Sequence, residues 1–230
     1  MRLAIMQPYF FPYIGYFQLI NAVDKFVFYD DVNYIKGGWI NRNRILINGK
    51  PSYLTVEINR ASPSKLINEV EILDNLPRLS KSIFIAYKKA PYFDYAWPVI
   101  KFCLESNSKK LSEIAVSSIK TVSEYLGLHT GFENSSISYP ETKGKEKAER
   151  LIEICKVNNA KKYLNPIGGM GLYSKELFAM NNIQLSFIKS KDIKYSQFGG
   201  EFTPWLSIID VLMFNPKEKV LEMLNDYELE

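Results

Sequence analysis

The sequence has little of the chemistry on which many enzyme classes depend. Among its 230 residues there is one histidine, His129, and there are two cysteines, Cys103 and Cys155. A single histidine excludes mechanisms and metal sites that need a histidine pair, and the cysteines lack metal-ligand spacing. We therefore expect no metal and no cofactor. Both cysteines lie in segments with helical periodicity and are predicted to be core thiols.

Long apolar runs and a strong charge of one sign are also missing. No apolar run approaches the roughly 18 residues of a membrane span, and the N-terminus opens on a strand without a signal-peptide pattern. The net charge is only +4, with Lys and Arg scattered among Asp and Glu, which argues against nucleic-acid binding. We expect a cytoplasmic protein with a small acidic substrate. Its oligomeric state has no signature in the sequence.

The pattern of apolar residues predicts an α/β fold with a central, mostly parallel sheet flanked by helices. Strands are predicted at residues 2–6, 25–29, 162–164 and 183–188, and the last two enclose a predicted helix at 172–180 in a βαβ unit. Asn48 and Gly49 between two apolar runs predict a β-hairpin insertion with a type I′ turn. Helical spacing at residues 77–89, 96–106 and 110–126 predicts a helical middle region.

The polar segment at residues 127–142 is predicted to be mostly loop, with a short strand near 136–139. Two C-terminal helices are predicted at 205–214 and 217–224, the second with Asn215 as its N-cap and Pro216 at its first position. We expect residues 1–230 to form a single α/β domain. Its two subregions, residues 1–126 and 143–230, are expected to meet at a shared cleft.

The first candidate site residues follow the first predicted strand, because ligands of open α/β sheets bind at the carboxyl ends of strands. Prolines stiffen this loop, so Gln7, Pro8, Tyr9 and Tyr13 are predicted to bind substrate. The aromatic rings suit stacking on a base or a sugar, although each could also cover the core. The amide of Gln7 ends a buried strand and needs partners.

The second predicted strand ends in Asp30 and Asp31. Side chains alternate along a strand, so we expect one of the two to face the cleft and to accept a proton or hold a cation. His129 is either a surface residue or a general base. Further binding candidates follow: Lys36, Trp39, Asn41, Arg42, Asn43 and Arg44. The arginines offer planar forks for phosphate or carboxylate, or form structural ion pairs.

A glycine-rich bend after the third predicted strand supplies the last binding candidates, which are Asn165, Gly168, Gly169 and Tyr173. A bend between a strand and a helix suits an anion, and a tight turn without a ligand is the alternative. The imperfect glycine pattern argues against a dinucleotide. Asp210 lies inside an apolar helical segment, where a buried carboxylate needs a partner. It either pairs with an arginine in a structural role or takes part in catalysis.

Several stretches together resemble the WbqC-like family of bacterial proteins. They begin with Gln7-Pro-Tyr-Phe-Phe-Pro-Tyr and cover residues 7–17, 28–45, 143–153, 163–169 and 206–212, in the order of the family. Members of the family are similar to proteins associated with the synthesis of O-antigen and other surface polysaccharides. The resemblance implies a glycyl- or acyl-transferase role and does not identify catalytic residues.

These features favour an enzyme that transfers an acyl or aminoacyl group, such as glycyl, to the amine of a nucleotide-linked sugar. Its partners would be that sugar and an activated acyl donor, for example a carrier-protein thioester. Asp30 or Asp31 would receive the proton, so Asp31→Ala or Arg42→Ala should abolish transfer without unfolding. A nucleotidyltransferase-like enzyme is an alternative, against which the missing histidines count. A non-catalytic nucleotide-sugar-binding protein of a glycan pathway is the other.

Overall fold

We describe the protein from a computed structural model that defines residues 1–60 and 64–230. These residues form the strands β1 (Arg2–Met6), β2 (Lys25–Phe28), β3 (Arg42–Ile47), β4 (Lys50–Thr55), β5 (Gly131–Asn134), β6 (Lys162–Pro166), β7 (Gln184–Ser190) and β8 (Tyr227–Leu229). Six of them form one sheet with the order β5-β2-β1-β6-β7-β8. Its neighbouring strands are parallel except for β7 and β8. The predicted mostly parallel sheet is confirmed.

Helices cover both faces of this sheet. They are α1 (Ile14–Asn21), α2 (Leu76–Tyr87), α3 (Phe93–Leu104), α4 (Leu111–Leu126), α5 (Ser135–Ser138), α6 (Lys147–Val157), α7 (Lys175–Ala179), α8 (Ile208–Phe214) and α9 (Lys217–Met223). Ala4 and Leu164 belong to a core with α1 to α4, α8 and α9, whereas Leu3 and Tyr163 belong to a second core with α6 and α7. Alternate residues of each strand thus enter opposite cores, as expected for a sheet buried on both faces.

The strand order creates a switch point between β1 and β6. These strands are neighbours, and Leu3 pairs with Tyr163. The chain leaves β1 through α1 toward β2 on one side, and leaves β6 through α7 toward β7 on the other. Such a reversal opens a crevice beyond the carboxyl ends of the two strands, where doubly wound α/β folds bind their ligands.

The hairpin and the helical middle region occur where they were predicted. Strands β3 and β4 form a separate antiparallel pair, in which Ile47 is opposite Lys50. Asn48 and Gly49 have φ angles of 52° and 72°, as a type I′ turn requires. Helices α2, α3 and α4 pack into the same core as α1. Within the described part of the chain, no helix has both the length and the apolar character needed to cross a membrane.

Several predicted boundaries were wrong. The strand of the polar segment is β5, which ends at Asn134, and residues 136–139 lie in and just after the helical turn α5. Helix α7 begins only at Lys175, because Ser174 accepts a hydrogen bond from the N–H of Leu177 and caps it. The last helix, α9, has Pro216 rather than Asn215 at its N-cap.

Candidate functional site

A pocket of about 380 Å³ lies at the switch point. Met6 ends β1 and Pro166 ends β6, and both line this pocket. The other residues that line it are Tyr9, Pro12, Tyr13, Gly15, Tyr16, Trp39, Asn43, Arg44 and Trp205. Because five of them are aromatic, we call this cavity the aromatic pocket. Concave, largely apolar sites with a few polar groups are typical of small-molecule binding.

Backbone contacts fix the first loop, which supplies much of the pocket wall. Phe10 donates its N–H to the carbonyl of Trp39 at 3.2 Å. Asn43, which is buried, donates from Nδ2 to the carbonyl of Phe11 at 2.8 Å. Phe11 has a φ of 40°, a conformation that costs a non-glycine residue energy and needs such support. These bonds restrain the loop that carries Tyr9.

The phenols of the pocket are hydrogen-bond donors rather than bases. Burial raises the pKa of both Tyr9 and Tyr13 above the usual value for tyrosine. Burial also raises the pKa of Tyr16, whose hydroxyl donates to the carbonyl of Gln7 at 2.8 Å. All three are therefore protonated at neutral pH.

Arg44 brings a positive charge into the aromatic pocket. Its Nη2 donates to the carbonyl of Trp205 at 3.2 Å, whereas its Nε is buried and has no hydrogen-bond partner. No described acidic side chain lies within ion-pair distance of this guanidinium. A cation with an unpartnered buried N–H in an apolar pocket favours an anionic ligand. A phosphate or carboxylate would balance the positive charge and would also accept a hydrogen bond from that N–H.

Arg42 does not share this role, although it lies on the same strand. Its guanidinium lies 4.5 Å from the ring centre of Tyr53 and donates to the carbonyls of Gly37 and Gly38. It does not line the aromatic pocket, and neither does the exposed Lys36. Of the predicted basic candidates, the structure brings only Arg44 into the pocket.

Burial alternates along residues 41–44. Asn41 and Asn43 are buried, while Arg42 and Arg44 are partly exposed. Asn41 accepts from the hydroxyl of Tyr34 and donates to the carbonyl of Val56, each at 2.9 Å. The oxygen and the nitrogen of its amide thus each have a partner within the protein, and these bonds anchor the start of the hairpin.

The structure places Asp30 and Asp31 outside the aromatic pocket. Both are buried, contrary to the expectation that one of them would face the cleft. Asp30 accepts hydrogen bonds from the N–H of Ser136 at 3.0 Å and from Nδ2 of Asn134 at 2.9 Å. It also accepts from the hydroxyl of Ser136, while the hydroxyl of Ser135 lies within hydrogen-bond distance of both Asp30 and Asp31. These bonds tie the end of β2 to α5.

Asp31 forms an ion pair with Arg150 of α6, with 2.6 Å between Oδ2 and Nη2. The side chains are only 2% and 4% exposed, respectively. Removing one partner of such a pair leaves a buried, unbalanced charge. Asp31→Ala is therefore expected to destabilise the fold, which departs from the expectation that this variant would abolish transfer without unfolding.

The glycine bend is held by packing. A Cβ on Gly169 would lie 2.6 Å from Oδ1 of Asn165, whose Nδ2 donates to the hydroxyl of Tyr163. A Cβ on Gly168 would meet nothing within 4 Å. Neither glycine lines the aromatic pocket, and Tyr173 packs against Phe178 instead. The tight-turn alternative fits this geometry better than a phosphate cradle.

The other predicted residues lie around or away from the pocket. Gln7 and Pro8 follow β1 but do not line it. His129 is exposed and lies just before β5, at the amino-terminal edge of the sheet, opposite the pocket. That placement separates His129 from the other candidates.

Trp205 lines the pocket but was not among the predicted site residues. The sequence suggested that it begins a helix, yet its φ is 61° and α8 begins only at Ile208. It is 59% exposed, and its ring centre lies 5.5 Å from that of Tyr13. An aromatic residue held exposed and strained at a pocket mouth suggests a functional constraint. Helical periodicity carries no signal of this conformation.

Asp210 holds the irregular segment that carries Trp205. Its carboxylate is fully buried and accepts from the hydroxyls of Tyr87 and Tyr195, at 2.7 and 2.8 Å, and from Nε2 of Gln197 at 2.8 Å. Gln197 also exchanges two hydrogen bonds with the backbone of Thr203. The expected arginine partner is absent from these contacts. Asp210 therefore anchors residues 191–206, which we call the 191–206 segment.

Comparison with known proteins agrees with the resemblance in the sequence. The uncharacterized protein Rv1507c of Mycobacterium tuberculosis is 30% identical over 222 residues, which cover 93% of each chain. No solved structure matches this protein. Residues 7–222 match the WbqC-like protein family, and this range includes every residue that lines the aromatic pocket except Met6. The chain belongs to the WbqC-like protein family.

Proposed function

We propose that the protein binds a nucleotide-linked amino sugar in the aromatic pocket and transfers an acyl or aminoacyl group, such as glycyl, to the amine of that sugar. The observation that carries this proposal is Arg44, a guanidinium without an acidic partner among aromatic rings. A diphosphate supplies the missing negative charge, and the base or sugar supplies flat surfaces for the rings. The family resemblance supports a role in surface-glycan synthesis.

The pocket contributes to the reaction mainly by positioning. Of the described residues that line it, none is an acid, a histidine or a cysteine. In the proposed reaction the neutral amine nitrogen attacks the carbonyl carbon of a thioester. The C–N bond forms, the C–S bond breaks, and the proton released from nitrogen passes to the departing thiolate. Holding two such reactants in the right geometry accelerates a reaction without a protein base.

Arg44 and Arg42 provide a matched test. In Arg44→Gln the phosphate loses its charge-assisted hydrogen bonds, each worth about 1.5–3 kcal/mol, so we expect the affinity for a UDP-linked amino sugar to fall about 10- to 150-fold. Arg42→Gln removes the same charge from the same strand outside the pocket and should leave affinity unchanged. Isothermal titration calorimetry measures both. An equal loss in the two variants would refute the role of Arg44.

A non-catalytic nucleotide-sugar-binding protein is the second candidate, favoured by the lack of an acid or a histidine on the pocket wall. Mass spectrometry of the sugar after incubation with glycyl and other acyl thioesters separates the two. Transfer that Arg44→Gln impairs supports the enzyme. Tight binding without any transfer supports the binding protein.

A further inference from the structure

A second cavity adjoins the aromatic pocket. It has a volume of about 400 Å³ and is lined by Tyr13, Ile14, Ser190, Lys191, Asp192, Ile193, Lys194, Phe202, Pro204 and Trp205. We call it the second compartment. Tyr13 and Trp205 line both cavities, and their ring centres are 5.5 Å apart. The two cavities are therefore neighbours separated by one aromatic pair.

The charges of the second compartment favour an anion. Lys191 and Lys194 contribute two ammonium groups, against the single carboxylate of Asp192. Lys191 has a distant ion-pair partner in Glu228, at 3.9 Å. In the described part of the chain, no acidic group lies within ion-pair distance of Lys194. An available lysine at the rim of a cavity attracts phosphate as a mobile point charge.

The start of α1 adds to this preference. Tyr13 is the N-cap residue of this eight-residue helix but provides no side-chain cap, and the first turn contains no acid. Gly15 lines the aromatic pocket, and Ile14 lines the second compartment. The positive end of the helix therefore lies between the two cavities, where it favours negative charge on either side.

The wall between the cavities depends on a glycine. A Cβ on Gly15 would lie 2.0 Å from the hydroxyl oxygen of Tyr13. The Tyr13 ring can therefore lie over the start of α1 only because residue 15 has no side chain. On its other side the ring meets Trp205, which the 191–206 segment presents.

We propose that the second compartment binds the phosphate-bearing part of a second substrate, so that two ligands meet at the Tyr13–Trp205 pair. This inference rests on the proposed function for the identity of that ligand, an acyl donor whose thioester is carried on phosphopantetheine. The lysines hold its phosphate, and the apolar residues Ile193, Phe202 and Pro204 contact its arm. Coenzyme A and a carrier protein both present this chemistry.

Titration calorimetry with coenzyme A and with free 4′-phosphopantetheine tests the proposal. Lys194→Ala should weaken binding of both probes about tenfold while leaving the UDP-linked amino sugar unaffected. Lys189→Ala is the matched control, because Lys189 is paired with Glu230 at 3.0 Å and does not line the compartment. If phosphopantetheine binds as well as coenzyme A, the carrier-protein source is supported; if only coenzyme A binds, the free coenzyme is the source.

The outcomes separate this inference from the proposed function. Coenzyme A should bind equally well when the nucleotide sugar is saturating. Competition between the two ligands would refute the proposal that the second compartment is a separate binding site. The same proposal would be refuted if neither probe binds, or if Lys194→Ala and Lys189→Ala weaken the binding of the probes equally. Binding of the probes without binding of any nucleotide sugar would support the compartment and refute the proposed function instead.

Discussion

Replacing Asp31 with Asn should destabilise the protein far more than the loss of a charge from an exposed ion pair. The variant keeps the shape of the side chain but leaves the guanidinium of Arg150 buried without its counter-charge, 2.6 Å from the former carboxylate oxygen. Breaking one partner of a buried pair typically costs about 3–5 kcal/mol. Arg150 also donates to Thr142 Oγ1 at 3.0 Å, and its guanidinium lies 4.8 Å from the ring centre of Tyr29. The loss should therefore loosen the junction between β2 and α6.

Urea unfolding of wild type, Asp31→Asn, Arg150→Met and the double variant measures this cost. We expect the double variant to be less destabilised than the sum of the single variants, because no uncompensated charge remains. Glu105→Gln is the surface control: its ion pair with Lys101 is well exposed and is worth about 0.5 kcal/mol or less. A loss below about 1 kcal/mol for Asp31→Asn, together with additive single effects, would refute the structural role argued for this pair.

Three further predictions concern the glycine bend, the Asp210 anchor and Trp205. Gly169→Ala should lower the free energy of unfolding by about 1–3 kcal/mol, because its Cβ would meet Asn165, while Gly168→Ala should be close to neutral; equal thermal stability of the two variants would contradict this packing. Burial raises the pKa of Asp210, so the folded state holds this proton more tightly than the unfolded state. The stability of wild type relative to Asp210→Asn should therefore fall as the pH rises above about 4. Denaturation curves at several pH values measure this difference in stability, and a difference that rises with pH would contradict the prediction. Trp205→Gly should relieve the left-handed backbone and raise stability by up to about 1 kcal/mol, while calorimetry shows weaker binding of the nucleotide sugar; unchanged binding would remove Trp205 from the site.

The sequence predicted the fold well where the determining pattern is local. The hairpin follows from Asn48 and Gly49, whose positive φ angles are a property of two adjacent residues. The parallel strands follow from short apolar runs between helical segments. Strand β8 was missed because Tyr227–Leu229 is short and mostly exposed, so it carries little hydrophobic pattern.

Residue type and spacing could not decide which charged residues form the site. Arg42 and Arg44 lie on the same face of β3, yet one stacks on Tyr53 and the other lines the pocket. One of Asp30 and Asp31 was expected to face the cleft, but Asp31 pairs with Arg150, which lies 119 residues further along the chain. Such pairings depend on how distant elements pack, which periodicity does not encode.

A crystal structure of the protein with a bound UDP-linked amino sugar tests the central claim most directly. We predict that its base or sugar ring lies among the aromatic side chains of the pocket, and that a phosphate oxygen lies about 3 Å from the guanidinium of Arg44. A ligand bound at the glycine bend around Gly168, or beside Asp30 and Asp31, with the aromatic pocket left unoccupied, would contradict the account.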